Sequence, residues 1–390
     1  MACVVALALL LVPAAAACSS AADCFYGGAC VSSACACRSE WTGANCSQLR
    51  LLAAAGSGVA FPSAPATSSW GGSVARVGRR YWMAVAEFEG HCGLDSWEAN
   101  SAIRLASAAT PEGPYEPGPL LLPPFAHNPT LHATANGSLL IAHIGQGTPY
   151  HTPFTNCTNG TTPLPPRAHM HVAADDGAPP LRLGVPGTVL PPPNFLYLPS
   201  GRPDDASPWV VFNSSGGNWA MNNPGLLVRA DDSALLIYKT HCNASGGVFC
   251  AQFGVATAPH WLGPYTDLGL IEVFGEDAYI WEDTPGAAGG GLHMLFQGGN
   301  YRKTDPVYVG HWHTAASADG VHWRVEADSM PFNGTIARAQ GGALELARRE
   351  RHPVLFENDA PAYLFNGAMA AASAGDASFT SVQPIATSAQ

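Results

Sequence analysis

The chain has 390 residues with a formal net charge of −11, and only 12% of its residues are charged, against roughly 25% in a typical soluble domain. Its only lysines are Lys239 and Lys303, so it lacks the concentrated basic face that nucleic-acid binding requires, and we expect no nucleic-acid partner. The 42 glycines and 33 prolines favour turns, and no sustained 3.6-residue apolar stripe is present. Composition therefore predicts an all-β chain.

The first 17 residues form an apolar run that ends in the small residues Ala14 to Ala17. This pattern predicts a signal peptide over 1–17. The run departs from the usual pattern because no Lys or Arg stands at its start, so an uncleaved membrane anchor is the alternative. No later apolar run is long enough to cross a bilayer, so we expect no membrane span after signal removal.

Seven Asn-X-Ser/Thr triplets follow the predicted leader. They predict N-glycosylation at Asn45, Asn136, Asn156, Asn159, Asn213, Asn243 and Asn333. The leader, the cysteines and the triplets together predict a secreted or extracellular protein.

Six cysteines are packed into the 29 residues from Cys18 to Cys46. So short a segment cannot bury enough apolar surface to fold unaided, so disulfides must restrict its unfolded state, and spacing alone leaves 15 pairings open. The segment resembles an epidermal-growth-factor-like (EGF-like) module over 18–47, with all six cysteines and the glycine Gly43 before the last one.

The resemblance to the EGF-like module implies the disulfides Cys18–Cys30, Cys24–Cys35 and Cys37–Cys46. Calcium-binding members carry acidic ligands before the first cysteine, where this chain has Ala14 to Ala17, so we expect no calcium. The module is expected to be a spacer or an adhesion module, with a matrix or cell-surface protein as its partner.

Residues 48–68 are expected to form a linker and a first strand, and four further cysteines follow. An even set of four allows three pairings. We favour Cys242–Cys250, which are close in sequence, and by elimination Cys92–Cys157. The loop histidines His169 and His171 lack a carboxylate partner, so we expect no metal site, and no cofactor is predicted.

Five copies of one unit make up the large domain, each consisting of polar residues, an apolar run, a turn and a second apolar strand. Repeats at about 40 to 50 residues or more predict propeller blades rather than a solenoid. The five units begin at Trp70-Gly71-Gly72, His127-Asn128-Pro129, Asn222-Asn223-Pro224, Glu276-Asp277 and Arg349-Glu350-Arg351-His352-Pro353.

These polar starts resemble those of the five-bladed propeller of arabinanases, β-xylosidases and invertases. The resemblance implies a five-bladed β-propeller over 69–390. It also implies that the innermost strands all start at one mouth of the central channel, so that polar residues far apart in sequence converge there.

Catalytic roles are also implied by this resemblance. In these enzymes an Asp that opens the first blade is the base, a second Asp opens the third, and a Glu that opens the fourth is the acid. Glu276 or Asp277 matches the acid, but neighbours on a strand point to opposite faces, so these two are not expected to be the catalytic pair by themselves. The first blade offers Gly71 and the third offers amides, so the base must come from Asp95, Glu87 or Glu350 if one exists.

The remaining polar and aromatic starts predict substrate contacts. Trp70 and Trp281 are expected to stack on sugar rings, although core packing is the alternative for any one tryptophan. Arginines on either side of Glu350 favour an ionised carboxylate that orients substrate, with a structural ion pair as the alternative. The predicted substrate-binding residues are Trp70, His127, Asn128, Asn222, Asn223, Trp281, Arg349, Glu350 and Arg351.

The sequence therefore predicts a secreted glycan-active propeller with a carbohydrate partner. The first hypothesis is a divergent glycoside hydrolase that acts on a polysaccharide or glycoside, with Glu276 or Asp277 as acid. The second is a non-catalytic carbohydrate-binding or adhesion protein that has lost the catalytic base. A scaffold that binds proteins through the EGF-like module is the third.

Overall fold

The computed structural model describes residues 17–61, 67–133, 139–148, 152–162, 195–200, 210–211, 222–243, 249–261, 263, 265–284, 290–298, 312–326, 330–372 and 375–387. Several predictions fall outside these residues: most of the leader, the histidines His169 and His171, and the glycosylation sites Asn136 and Asn213.

The N-terminal module consists of short strands joined by disulfides. Its elements are a 3₁₀ turn at Ala21–Cys24 and the strands β1 (Gly28–Val31), β2 (Ala34–Cys37), β3 (Trp41–Thr42) and β4 (Gln48–Leu49). β1 pairs with β2, and β3 pairs with β4, both antiparallel. Disulfides join Cys18 to Cys30, Cys24 to Cys35 and Cys37 to Cys46, the pairs that the resemblance to an EGF-like module implies.

The propeller begins with two separate sheets. The first blade contains β6 (Ser69–Val77), β7 (Arg80–Phe88), β8 (Ser101–Ala108) and β9 (Glu116–Leu122), all antiparallel. The second contains β10 (Phe125–Ala133), β11 (Leu139–Thr148) and β12 (Phe195–Ser200), the last of which pairs in parallel with β11. Between β7 and β8 lies an excursion with 3₁₀ turns at Glu89–His91 and Leu94–Ser96 and the one-turn helix α1 (Trp97–Asn100).

One long strand, β17 (Tyr265–Glu282), joins the third and fourth blades. The third blade consists of β14 (Asn222–Val228), which is innermost, β15 (Ala234–Asn243), β16 (Phe249–Ala258) and the first half of β17. These four strands pair in that order, and all pairs are antiparallel. The short strand β13 (Val210–Val211) pairs in parallel with the start of β17. The second half of β17 is the innermost strand of the fourth blade, followed by β18 (Leu292–Gly298), β19 (Trp312–Ser317) and β20 (Trp323–Val325).

The fifth blade combines the two ends of the propeller sequence, which closes the ring. It contains β21 (Thr335–Ala337), β22 (Ala343–Glu350), β23 (Val354–Glu357), β24 (Ala360–Ala370) and β25 (Phe379–Pro384). The strand β5 (Val59–Phe61), from the N-terminal side of the first blade, pairs with β25. The five-bladed propeller predicted from the repeats is confirmed.

All five innermost strands carry a residue of left-handed conformation at the second position of the polar pair. These residues are Gly71, Asn128, Asn223, Asp277 and Arg351, with φ angles of 60°, 52°, 49°, 59° and 54°. In the first four blades this residue lies in a break of the strand register, as expected for a β-bulge. Glycine, asparagine and aspartate tolerate this conformation best, which explains four of the five residues.

Two loops are connected by the disulfide Cys92–Cys157, the pairing that the sequence favours. Cys242 and Cys250 lie opposite each other in the register of β15 and β16, and their side chains lie outside the described residues. Within the described part of the chain, no helix is long and apolar enough to span a bilayer.

The EGF-like module packs directly against the fourth and fifth blades. The Trp41 ring is fully buried and stacks on Trp281 and on His293, with ring centroids 6.1 Å and 5.0 Å apart. Arg38 forms an ion pair with Asp283 at 2.8 Å. One apolar cluster contains residues of both domains, so the module shares a core with the propeller and is not a free spacer.

The contacts of Asn45 correct one glycosylation prediction. Its amide donates a hydrogen bond to Glu326 of the propeller, and its Oδ1 accepts one from the buried Ser47. Because the amide nitrogen that would carry a glycan is used in the interface, Asn45 does not fit a glycosylation site. Asn156, Asn159 and Asn333 are exposed and keep their predicted role.

Candidate functional site

The five left-handed residues of the innermost strands meet around the propeller axis. Nδ2 of Asn128 donates a hydrogen bond to Oδ1 of Asn223 at 2.9 Å, which joins the second and third blades. Nη1 of Arg351 donates to Oδ1 of Asp277 at 3.2 Å, which joins the fifth and fourth. Nη2 of Arg351 donates to the carbonyl of Asn128 at 2.9 Å, which connects the two pairs.

Gly71 completes this ring, which we call the axial ring: Gly71, Asn128, Asn223, Asp277 and Arg351. A Cβ atom on Gly71 would lie 2.8 Å from Cγ and 2.9 Å from Cβ of Arg351. The arginine of the fifth blade therefore occupies the space in which a side chain of the first blade would stand. All four ring members that have a side chain are at most 6% exposed.

Two polar atoms of the axial ring have no hydrogen-bond partner among the described residues. They are Nε of Arg351, a donor, and Oδ1 of Asn128, an acceptor. Leaving buried polar atoms unpaired costs about 1 to 3 kcal/mol each, so such atoms call for an explanation. A hydroxyl group, which both donates and accepts, has the chemistry to satisfy both atoms.

Asp277 is the carboxyl group at the centre of this site. Burial raises the pKa of Asp277 to about 6, against the opposing effect of Arg351, and the charges of Glu276 and Glu350 raise it further. A carboxyl group of this kind keeps its proton in mildly acidic solution, which a general acid must do.

Two ion pairs flank Asp277. Glu276 accepts a hydrogen bond from Nζ of Lys239 at 2.8 Å, and both side chains are mostly buried. Glu350 binds Arg348 through both carboxylate oxygens, at 2.8 Å and 2.9 Å. The sequence predicted that Arg349 and Arg351 would hold Glu350, but residues two apart on a strand share a face, which explains why Arg348 holds it.

The excursion of the first blade lies over the start of the second blade. His127, which precedes Asn128, is buried, shares a 2.7 Å hydrogen bond with Ser101, and packs against Trp97 with ring centroids 5.2 Å apart. Burial, with the charge of Arg351, lowers the pKa of His127 well below its usual value. The imidazole is therefore neutral and suited to hydrogen bonding rather than to carrying charge.

Two predicted substrate-binding residues lie elsewhere. Trp281 is 3% exposed and packs between Trp41 and His293, at the end of β17 away from Asp277, so core packing and not sugar stacking is its role. Arg349 is 1% exposed and donates to Asn366, Gln383 and the carbonyl of Asn333. Both predictions are wrong because each of these two side chains is enclosed by protein groups that occupy the place of a substrate.

Trp70 and Asn222 were also predicted to bind substrate. Trp70 is buried at the start of the first blade, and the guanidinium group of Arg348 lies over its ring, 5.3 Å from the ring centroid. Trp70 therefore packs against Arg348 at the edge of the site. Asn222 begins β14 opposite Lys239 in the register, and its side chain lies outside the described residues.

Sequence reasoning missed Lys239, Arg348 and Trp97. Lys239 is one of only two lysines and directly follows the apolar run Ala234 to Tyr238, and this was an available signal. Arg348 precedes the polar group of the fifth blade by one residue, so the two-residue period of the strand connects it to Glu350. Trp97 had no signal, because the excursion that carries it has no counterpart in the other units.

No protein-family model and no curated protein matches the chain. Among solved structures it is similar to Zg3597, a family 117 glycoside hydrolase produced by the marine bacterium Zobellia galactanivorans. The identity is 12%, the TM-score is 0.51, and the match covers 90% of this chain and 91% of that chain. A GH62 hydrolase in complex with xylotriose matches at 8% identity with a TM-score of 0.49, over 87% of this chain and 97% of that one. The likeness to the first structure confirms the propeller fold and extends no further than the fold.

Proposed function

We propose that this protein is a secreted, glycan-active propeller and a divergent glycoside hydrolase, in which Asp277 is the general acid. The observation that carries this proposal is the raised pKa of Asp277, a buried carboxyl group on the propeller axis. Glycoside hydrolysis needs one carboxyl group to protonate the leaving oxygen and another to activate water or attack the sugar.

Asp277 suits the acid's role better than Glu276. Glu276 forms an ion pair with Lys239, and its negative charge helps to raise the pKa of Asp277. The two neighbours therefore have different roles: Asp277 carries the proton, and the negative charge of Glu276 makes Asp277 bind that proton more tightly. The unpaired Nε of Arg351 and Oδ1 of Asn128 would bind a sugar hydroxyl beside the acid.

A second candidate function is a non-catalytic carbohydrate-binding protein. It is favoured by the axial ring itself, because the first blade offers Gly71 and the third offers Asn223 where hydrolases with the same propeller are expected to carry Asp. An amide and a glycine cannot take a proton from water, so a ring that binds a sugar does not by itself cleave it.

The domain division follows from the same proposal: a signal peptide over 1–17, an EGF-like domain over 18–47, a linker and first strand over 48–68, and the propeller over 69–390. Secretion is supported by the four disulfides. A protein partner of the EGF-like module would have to bind the face turned away from the propeller, which exposes Val31.

The test is sugar release from a panel of polysaccharides and aryl glycosides. We expect turnover by the wild-type protein, and a loss of about 10²–10⁴-fold in kcat for Asp277→Asn, because the proton donor is removed. Glu276→Gln should lose less. Glu282→Gln, an acid at the far end of the same strand, is the matched control and should keep full activity.

Two results would count against the hydrolase. Full turnover by Asp277→Asn would remove Asp277 from the role of acid. Binding on a glycan array without sugar release from any member of the panel would favour the binding protein instead, and the absence of both would contradict both candidates.

A further inference from the structure

The axial ring lacks a carboxylate that is able to accept a proton from water. Gly71 has no side chain, the residues of the second and third blades are amides, and Asp277 is the proposed acid. A larger side chain at position 71 would collide with Arg351, so the first blade cannot supply the base from its innermost strand. If the site cleaves glycans, the base must come from outside the ring.

The sequence gives three other carboxylates as candidates for the base, and two of them, Glu87 and Glu350, are bound in ion pairs. Glu87 is mostly buried and forms an ion pair with Arg104 at 2.8 Å within the first blade. Glu350 has both oxygens bound to Arg348 and is 6% exposed. A general base needs a free lone pair and access to water, and neither residue has both.

Asp95 has both properties. It lies in the excursion of the first blade and is exposed, and its carboxylate makes no hydrogen bond and no ion pair with the described residues. We propose that Asp95 is the general base of this site, in the place of the carboxylate that the innermost strand of the first blade lacks. This inference rests on the proposed function.

The position of Asp95 is set by contacts that leave its carboxylate free. The backbone N–H of Asp95 donates a hydrogen bond to Oδ2 of the buried Asp376 at 2.8 Å. The other carboxylate oxygen of Asp376, Oδ1, accepts a hydrogen bond from the backbone N–H of Thr162. The disulfide Cys92–Cys157 fixes the excursion at Cys92, three residues before Asp95. Asp95 is therefore held by backbone contacts on a rigid loop, as expected for a functional group that must be held in place.

Two neighbours place Asp95 on the same rim as the ring. Trp97, two residues later, packs on His127, which directly precedes Asn128 of the axial ring. Arg348, which holds Glu350 and covers Trp70, also interacts electrostatically with Asp95 and Glu276. One guanidinium group is thus shared by carboxylates of the excursion and of the fourth and fifth blades.

The electrostatic surroundings of Asp95 favour a base. Although the side chain of Asp95 reaches solvent, partial desolvation by the surrounding excursion and the nearby charge of Asp376 raise the pKa of Asp95, against the smaller opposing effect of Arg348. A carboxylate with a raised pKa binds a proton more tightly and takes one from water more readily. Nε of Arg351 and Oδ1 of Asn128, which have no partner among the described residues, are a separate observation that favours a bound hydroxyl group at the axial ring.

Asp95 takes a proton from a water molecule as the water oxygen bonds to the anomeric carbon. The bond between that carbon and the leaving oxygen breaks, and the leaving oxygen receives the proton of Asp277. Direct attack by water gives a product of inverted anomeric configuration.

The experiment measures kcat, the glycan dissociation constant and the melting temperature for the full-length secreted protein and its variants. We expect Asp95→Asn to lower kcat by about 10²-fold or more, with unchanged binding and melting temperature, because the carboxylate makes no structural bond. Glu89→Gln, an exposed acid of the same excursion, is the control and should match the wild type. In Asp95→Gly, sodium azide should restore turnover and yield a glycosyl azide.

The outcomes separate this inference from the proposed function. If Asp277→Asn is inactive while Asp95→Asn keeps its kcat within about threefold of the wild type, Asp95 is not the base and the hydrolase stands. A first-formed product of retained configuration, seen by proton NMR, would also overturn the assignment. If the wild type binds glycans and cleaves none, the hydrolase fails, and the role of Asp95 fails with it.

Discussion

The two ends of the innermost strand of the fourth blade have different surroundings, although only three residues separate Asp277 from Trp281. At one end, Asp277 is buried beside charged groups of the third and fifth blades, and two nearby polar atoms have no partner among the described residues. At the other end, Trp281 is stacked between rings of the propeller and the EGF-like module.

Both ends contain buried polar atoms that have no hydrogen-bond partner among the described residues. At the module end they are ring nitrogens of the stacked residues Trp41, Trp281 and His293, together with Nη1 of Arg38, whose other two side-chain nitrogens bind Glu40 and Asp283. At the axial ring they are Nε of Arg351 and the amide oxygen Oδ1 of Asn128. The proposed function provides a partner, a sugar hydroxyl, for the two atoms of the axial ring, and it provides none for the atoms at the module end.

The strongest way to break this comparison is to remove the ring that joins the module to the propeller. Trp41→Ala should destabilise the protein by about 3–5 kcal/mol, because a fully buried indole is replaced by a cavity. Chemical denaturation would measure this, with Trp41→Phe as a milder control. A loss below about 1 kcal/mol would mean that the module is a loosely attached arm.

A glycine pair tests whether Arg351 needs the space left by Gly71. Gly71 and Gly78 have nearly the same backbone, with φ of 60° and 62°, but a Cβ atom meets Arg351 only at position 71. Gly71→Ala should cost about 1–3 kcal/mol more than Gly78→Ala and lower turnover, because the clash displaces Arg351 from Asp277. Equal stability of the two variants would show that the ring is not packed as described.

The pH dependence of turnover tests the protonation of Asp277. A general acid works only when protonated, so activity should fall as pH rises through about 6, by about tenfold per unit above it. Since the charge of Glu276 raises the pKa of Asp277, Glu276→Gln should move this midpoint to lower pH. A midpoint that stays in place in this variant would contradict the electrostatic coupling.

The smallest effect is expected from a surface ion pair near Trp281. Arg229 and Glu282 are 2.6 Å apart but partly exposed, so Arg229→Ala should change the stability by less than about 1 kcal/mol and leave turnover unchanged. A large loss of turnover would mean that the module end contributes to the site, and the distinction between the two ends would fail.

The fold was predictable from sequence because its signal is repeated. Polar groups followed by two apolar strands recur five times, and Asn128, Asn223 and Asp277 are residue types that tolerate the left-handed bulge. Arg351 is the exception to that preference. Its position in the ring became clear only from the structure, which shows that it fills the space beside Gly71.

The candidate site was less predictable because it depends on contacts between blades. The sequence places Glu276 near the axis but does not reveal that Lys239 binds it, since side-chain pairing across blades has no local pattern. The pair Arg348–Glu350 lies within one strand and follows its two-residue period. Trp281 was misassigned for a related reason. A tryptophan near a polar pair has the same sequence signature whether it faces a sugar or the ring of a second domain.

The most direct test of the account is a crystal structure of the Asp277→Asn variant with an oligosaccharide that the wild-type protein binds. We predict a sugar hydroxyl within hydrogen-bond distance of both Nε of Arg351 and Oδ1 of Asn128. A sugar bound elsewhere, with these two atoms still unpaired, would contradict the claim that the five innermost strands form a carbohydrate site.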